Sequence, residues 1–347
     1  MRYDYGDPRR GDCYEYLNFA DTLRRMPELE YHEYLFDTRL RDCGRTRMNR
    51  ELVETASALQ PAVCLFVLFT DEIARETLEA IRKRTRAVTA NWFGDDHWRF
   101  LPYSRRWARH VDWVITTDHA AAERYRAMGC RQVIQSQWGF NHHMKPGKTV
   151  REDRDVTFVG QAYAARRLMM KGLAEHNTAV ECWGYGWTNG RLKRNDTLTM
   201  YRRSRINLNF TESSITAGGK RFVKVVFSRR ADGAVRVNSP GVMVDFARTL
   251  RDSRSPQIKG RNFEIPGAGG FLLTSSAPGL EKYFVPGKEI VVFDSLSDCA
   301  DQIRFYLAHP QEREKIRRAG HQRALRDHTY ERRLHDVTAT MLRNAAH

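Results

Sequence analysis

Between Lys259 and Ser275 the chain reads Lys259-Gly-Arg261-Asn-Phe-Glu264-Ile-Pro-Gly-Ala-Gly269-Gly-Phe-Leu-Leu-Thr-Ser275, setting basic, acidic and glycine residues directly against an apolar run. Phe263–Gly269 has the composition of a short helix ending at glycines, and Phe271–Leu273 that of a buried parallel strand. A carboxylate at Glu264, early in that helix, can accept hydrogen bonds from two vicinal hydroxyls, while Lys259 and Arg261 just upstream suit a diphosphate. A ribose and a pyrophosphate need that combination. The same residues also fit a plainer role, with Glu264 complementing the helix dipole and the two cations solvated.

Other stretches carry chemistry of their own. In Asn91-Trp92-Phe-Gly-Asp95-Asp96-His97-Trp98, the acidic pair lies just beyond a strand's carboxyl end, where open α/β sheets place ligands. Asp95 or Asp96 is thus a site candidate and, in a transfer that inverts configuration, the candidate base for the acceptor hydroxyl; Gly-Asp-Asp is equally good turn chemistry. Trp92, His97 and Trp98 would line an acceptor site, with Arg10 from the loop Gly6–Gly11 and His119 from the end of another strand. Gly160 ends the strand Asp155–Val159 and Arg166 enters the helix after it, a setting that can receive a phosphate. Trp187 suits a base-stacking or a buried role. Adjacent histidines at a strand end point opposite ways, so paired metal ligation by His142 and His143 is not expected.

Residues 257–331, with Gln257-Ile-Lys-Gly-Arg-Asn-Phe-Glu264, Leu280-Glu-Lys-Tyr-Phe, Pro286-Gly-Lys-Glu-Ile, Tyr306-Leu-Ala-His-Pro and His328-Thr-Tyr-Glu331, resemble the C-terminal part of group 1 glycosyltransferases of the CgeB-like kind. In the related retaining family 4 enzymes a Glu followed five residues later by Gly holds the donor ribose, and Glu264 with Gly269 matches that spacing. Those families often carry another Glu eight residues earlier; here that position is Pro256. Trp92-Phe-Gly-Asp-Asp96 followed by Arg99-Phe100 is similar to the family's N-terminal domain. The resemblance implies an α/β fold of two Rossmann-like domains facing across a cleft, GT-B, and covers most of the chain apart from 220–256. It implies a UDP-sugar donor and no metal. The expected donor site is then Gly160, Arg166, Trp187, Lys259, Arg261, Glu264 and Gly269, with Arg261 and Lys259 stabilising the leaving group and Arg166 in support.

The elements needed to position these groups are legible as alternating strands and helices. Expected strands include Met1–Tyr5, Tyr31–Phe36, a clearly buried Pro61–Phe69, and a strand ending at Asn91 or Trp92. Residues 144–150, rich in proline, glycine and charge, read as a linker. The expected division is 1–147 as the acceptor domain, with helix 330–347 packing back on it, and 151–329 as the donor domain carrying a basic insertion at 220–256. Within that insertion Phe222–Val237 reads as a β-hairpin about Asp232-Gly233.

The chain has 347 residues, 41% of them apolar, which excludes a disordered protein. Six scattered cysteines form no zinc or disulfide pattern. With no apparent membrane span or signal peptide, a cytoplasmic location is expected. The formal charge is +16, and Lys220–Arg261 alone holds eleven Lys and Arg against three Asp. That excess points to a polyanionic acceptor, and Arg229 and Arg230 on the hairpin would grip it. DNA carrying a hydroxylated base is the leading acceptor; a cell-surface or spore polysaccharide, or a lipid-linked acceptor at an anionic membrane, is the alternative. A basic protein that binds nucleic acid without reaction is the competing class.

Overall fold

The computed structural model describes residues 1–146, 151–212, 223, 225–229, 233–252 and 256–345. The chain divides into two compact units: Met1–Gln137, Ala217–Ser253 and Arg333–His347 form unit 1, and Trp138–Thr216 with Arg254–Arg332 form unit 2. Residues 217–253 therefore group with the first unit, whereas the sequence placed them in the second. Helix α7 (Pro240–Asp252) carries a physical reason: its buried Asp245 receives Arg105 Nη2 at 2.7 Å and Arg106 Nη2 at 2.6 Å, both from unit 1.

Unit 1 is built on a parallel sheet in the order β1 (Val63–Phe66), β2 (Val88–Phe93), β3 (Trp113–Thr116), β4 (Val133–Gln135). Against it pack α1 (Phe36–Leu59), α2 (Arg75–Arg84) and α4 (His119–Ala127), with the one-turn α3 (Asp96–Arg99) following β2. Their apolar faces, including Met48, Leu78, Ile81 and Tyr125, close the core. Two expected strands are absent. Met1–Tyr5 makes only an isolated bridge from Tyr3 to Asp12, because the amides of Arg2 and Tyr3 donate to the buried Asp37 carboxylate at 2.8–2.9 Å instead of to a strand. Residues 31–35 have no regular structure and lead straight into α1. The run 61–69 yields only β1, a half-buried edge strand paired with β2 alone.

Unit 2 has a five-stranded parallel sheet in the order β11 (Val291–Phe293), β10 (Leu272–Ser275), β7 (Ser204–Asn209), β5 (Arg154–Val159), β6 (Glu181–Trp183). Chain order runs outward from β5 to β6 on one side and through β7, β10 and β11 on the other. The gap between the carboxyl ends of β5 and β7 is thus a topological switch point, where such sheets open a crevice for ligands. Helices α5 (Ala164–Glu175), α6 (Arg194–Arg203), α8 (Arg261–Gly267), α9 (Leu296–Ala308) and α10 (Pro310–Asp327) surround it. The last helix, α11 (Tyr330–Ala345), begins in unit 2 and continues as part of unit 1. The hairpin is present as β8 (Phe227–Arg229) antiparallel to β9 (Val235–Val237), with Phe227 opposite Val237; Arg229 ends β8, and Arg230 lies outside the described residues.

Candidate functional site

The site in unit 2 begins with the glycine that ends β5. A Cβ on Gly160 would stand 2.8 Å from Phe158 Cζ and 2.9 Å from Arg261 Nη1, so only glycine lets the guanidinium approach this turn. The loop after β6 presses on the same turn. Gly160 N donates to Trp183 O at 2.8 Å, Trp187 Nε1 donates to Gly160 O at 2.8 Å, and Gly184 adopts φ +130°. A Cβ on Gly184 would fall 2.3 Å from that carbonyl. Trp187 also packs on the edge of Phe158, so its indole is a buttress of the turn.

Two cations meet over Phe158. Arg166, 8% exposed on the first turn of α5, holds its guanidinium carbon 5.2 Å from the ring centroid, and Arg261 at the start of α8 holds its own 5.4 Å away. Arg166 Nη1 donates to Gln161 O at 2.9 Å, and Arg261 Nε donates to Asn209 Oδ1 at 2.9 Å. Burial, and secondly the charge of Arg261, pull the Arg166 pKa down to about 9. Two guanidinium groups held close at a switch point favour a bound anion that relieves their repulsion. Asn209, at the end of β7, is part of a buried polar lattice: its Nδ2 donates to Asn262 Oδ1 and Thr274 Oγ1, both at 3.1 Å. Asn262 Oδ1 in turn accepts from Lys259 N at 2.9 Å, which fixes the entry to α8.

One turn further along α8, Glu264 is 3% exposed and forms an ion pair with Arg194 of α6. Arg194, Asn209 and Asn262 were not singled out in the sequence, since only tertiary folding brings α6 and β7 to α8. Gly269 has a conformational role: at φ +81° it turns the chain out of α8, and its carbonyl accepts from Arg317 Nη1 at 3.0 Å.

The unit 1 candidates separate by burial. Asp96 is 1% exposed, accepts from Thr116 Oγ1 at 2.6 Å and from Tyr125 Oη at 3.0 Å, and burial raises its pKa to about 7. It is thus an internal tie between α3, β3 and α4. Asp95, half-buried at the N-terminus of α3, is the member of the pair nearer solvent. Burial, and the Asp95 charge in addition, raise the pKa of Glu15, so a second carboxyl stands near Asp95 that the sequence did not single out. Trp92 is 1% exposed and packs edge-on against Phe19 at 4.8 Å, so it cannot offer a face for a base to stack on. Trp98 and His97 are half-buried on α3, and Arg99 lies over the Trp98 ring. His119 is exposed at the start of α4, behind the cap in which Asp118 accepts from Ala121 N at 3.0 Å. Arg10 pairs with Asp4 at 3.0 Å and covers the Tyr5 ring.

The histidine pair departs from its expected geometry. His142 and His143 sit in a turn after the bridge at Phe140, not on a strand, so the alternation that separates neighbouring side chains does not apply. Their rings lie 4.0 Å apart, and both approach Glu331.

Two Rossmann-like parallel sheets, the second with a cationic crevice at its switch point, make up the GT-B fold of glycosyltransferases. A family model described as glycosyl transferase-like matches residues 165–339, and the chain belongs to that family: it is a glycosyltransferase. Among solved structures it is similar to a glycosyltransferase from Rickettsia africae (8% identity, TM-score 0.57, covering 94% of this chain and 87% of that one). It is also similar to HepE from Anabaena in complex with UDP and glucose (9% identity, TM-score 0.54, 85% and 82%). A third similar structure is sucrose-phosphate synthase from Thermosynechococcus elongatus (12%, TM-score 0.51, 87% and 79%). No curated protein matches the chain. Among the described residues no helix is long and apolar enough to cross a membrane.

Proposed function

We propose that the protein transfers a sugar from a nucleoside-diphosphate sugar, with UDP as the carrier, to an acceptor hydroxyl. The observation that carries this reading is the convergence of Arg166 and Arg261 on Phe158 beside Gly160. There the guanidinium groups would hold the diphosphate, and Glu264 one turn along α8 would accept from the ribose hydroxyls. In the reaction a bond forms between the acceptor oxygen and the anomeric carbon as the bond from that carbon to the phosphate oxygen breaks. The nucleoside diphosphate leaves with the electron pair, and Arg261 stabilises the charge it acquires. With inversion, Asp95 takes the acceptor proton; with retention, the donor phosphate takes it and Asp95 orients the acceptor. The UDP complex of HepE, a structure of similar fold, supports the choice of nucleotide.

A polyanionic acceptor remains the reading favoured by the charge of +16. Hydroxymethylated DNA is one such acceptor, but Trp92, being buried, offers no face on which an extruded base could stack. Calorimetric titration with UDP, GDP, ADP and dTDP tests the donor reading. UDP should bind with the highest affinity, and Arg261→Ala, which removes a contact to the diphosphate, should weaken that binding. Failure of all four to bind, or unchanged UDP binding by the variant, would overturn it. Mass analysis of hydroxymethylated duplex, anionic polysaccharide and lipid phosphate after incubation with UDP-sugars then assigns the acceptor.

A further inference from the structure

The turn Asn141–Met144 and the start of α11 bring two imidazoles and a carboxylate together within unit 2. His142 Nε2 stands 2.9 Å from Glu331 Oε2, and His143 Nε2 stands 3.8 Å from the same oxygen. One donor atom from each of the three residues lies within 4.8 Å of the others. A tetrahedral zinc ion bonded at about 2.0–2.1 Å keeps its ligand atoms roughly 3.3 Å apart, so little movement would close this triad on a metal. Two imidazoles and one carboxylate are also an ordinary donor set for zinc, leaving a fourth position for water.

The backbone holds the donors in place. Phe140 N donates to His328 O at 2.9 Å and Tyr330 N to Phe140 O at 3.0 Å, clamping the two segments on either side. The fully buried Asn141 accepts from His143 N at 3.1 Å, which sets the turn that points both rings the same way. The side chains of His142, His143 and Glu331 are 31%, 23% and 38% exposed, open enough for an ion and a water to enter.

We propose that His142, His143 and Glu331 form a zinc site that ties the turn at 141–144 to the first turn of α11. This site is independent of the donor reading, because none of its ligands belongs to the cationic crevice.

The test uses the full chain, stripped with chelator and titrated with Zn²⁺ against a chromogenic chelator, and separately loaded with Co²⁺. The intact protein should take up one equivalent of Zn²⁺, gain several degrees in melting temperature, and show the visible absorption of tetrahedral Co²⁺. His142→Ala/His143→Ala should lose the cobalt bands and at least tenfold in zinc affinity. Glu331→Gln, which keeps the side-chain volume, should weaken binding while its circular dichroism stays native. Absence of stoichiometric zinc uptake by the intact chain, or an unchanged cobalt spectrum in the folded variants, would show a plain histidine–glutamate ion pair and overturn the proposal.

Discussion

Arg166 and Arg261 face the same Phe158 ring from different helices, their guanidinium carbons 5.2 and 5.4 Å from its centroid. A ring with cations near it at two positions, one of them buried, is costly unless an anion completes the arrangement. The first prediction follows from that cost. Arg261→Ala and Arg166→Met should each weaken UDP binding about 10- to 150-fold, corresponding to the loss of charge-assisted hydrogen bonds contributing about 1.5–3 kcal/mol. Both should also flatten the salt dependence of binding, measured by titration at low and high ionic strength.

The two glycines of the turn differ in what a methyl would meet. Gly160→Ala should lower UDP affinity along with melting temperature, since the new methyl meets Arg261 Nη1 at 2.9 Å and the buried Phe158 ring at 2.8 Å. Gly184→Ala meets backbone at 2.3 Å with φ at +130°, where no flexible neighbour can yield. Its effect should appear chiefly as a large loss of thermal stability.

Removing Arg194 should be more damaging than its surface-like residue type suggests. Arg194→Ala strands the buried Glu264 carboxylate and should destabilise unit 2 by about 3–5 kcal/mol in urea denaturation. Arg194→Ala/Glu264→Gln should recover part of that loss, because no uncompensated charge remains. The double variant should still bind UDP less tightly than the parent, as the ribose hydroxyls then meet one neutral amide oxygen in place of a carboxylate.

Loss of Asp96 and loss of Asp95 should register in different measurements. Asp96 has its folded pKa raised to about 7 from an ordinary 3.8, so its contribution is fully present below pH 3.8 and declines as pH rises towards 7, where the folded state must give up its proton too. Asp96→Asn should therefore flatten the fall in stability between pH 4 and pH 7, as read from denaturation midpoints. Asp95→Asn should instead lower kcat by at least tenfold with UDP affinity unchanged. Full turnover in Asp95→Asn would remove it from the chemical step.

Much of the architecture was legible in the chain because it depends on local pattern. Apolar runs of strand length bounded by helical periodicity gave the α/β class, and a glycine after a strand with cations opening nearby helices marked Gly160, Arg166 and Arg261. Periodicity failed where a side chain replaced a strand partner, as when Asp37 took the amides of Arg2 and Tyr3. Tertiary structure alone decided which charged groups face inward. It turned Asp96 towards Thr116 and Tyr125 while leaving Asp95 nearer solvent, and it buried Trp92 against Phe19. It also supplied Arg194 and Asn209, whose positions beside α8 depend on contacts more than fifty residues away in the chain. Composition and spacing fix which residues can do chemistry; burial and the packing of distant elements fix which of them meet.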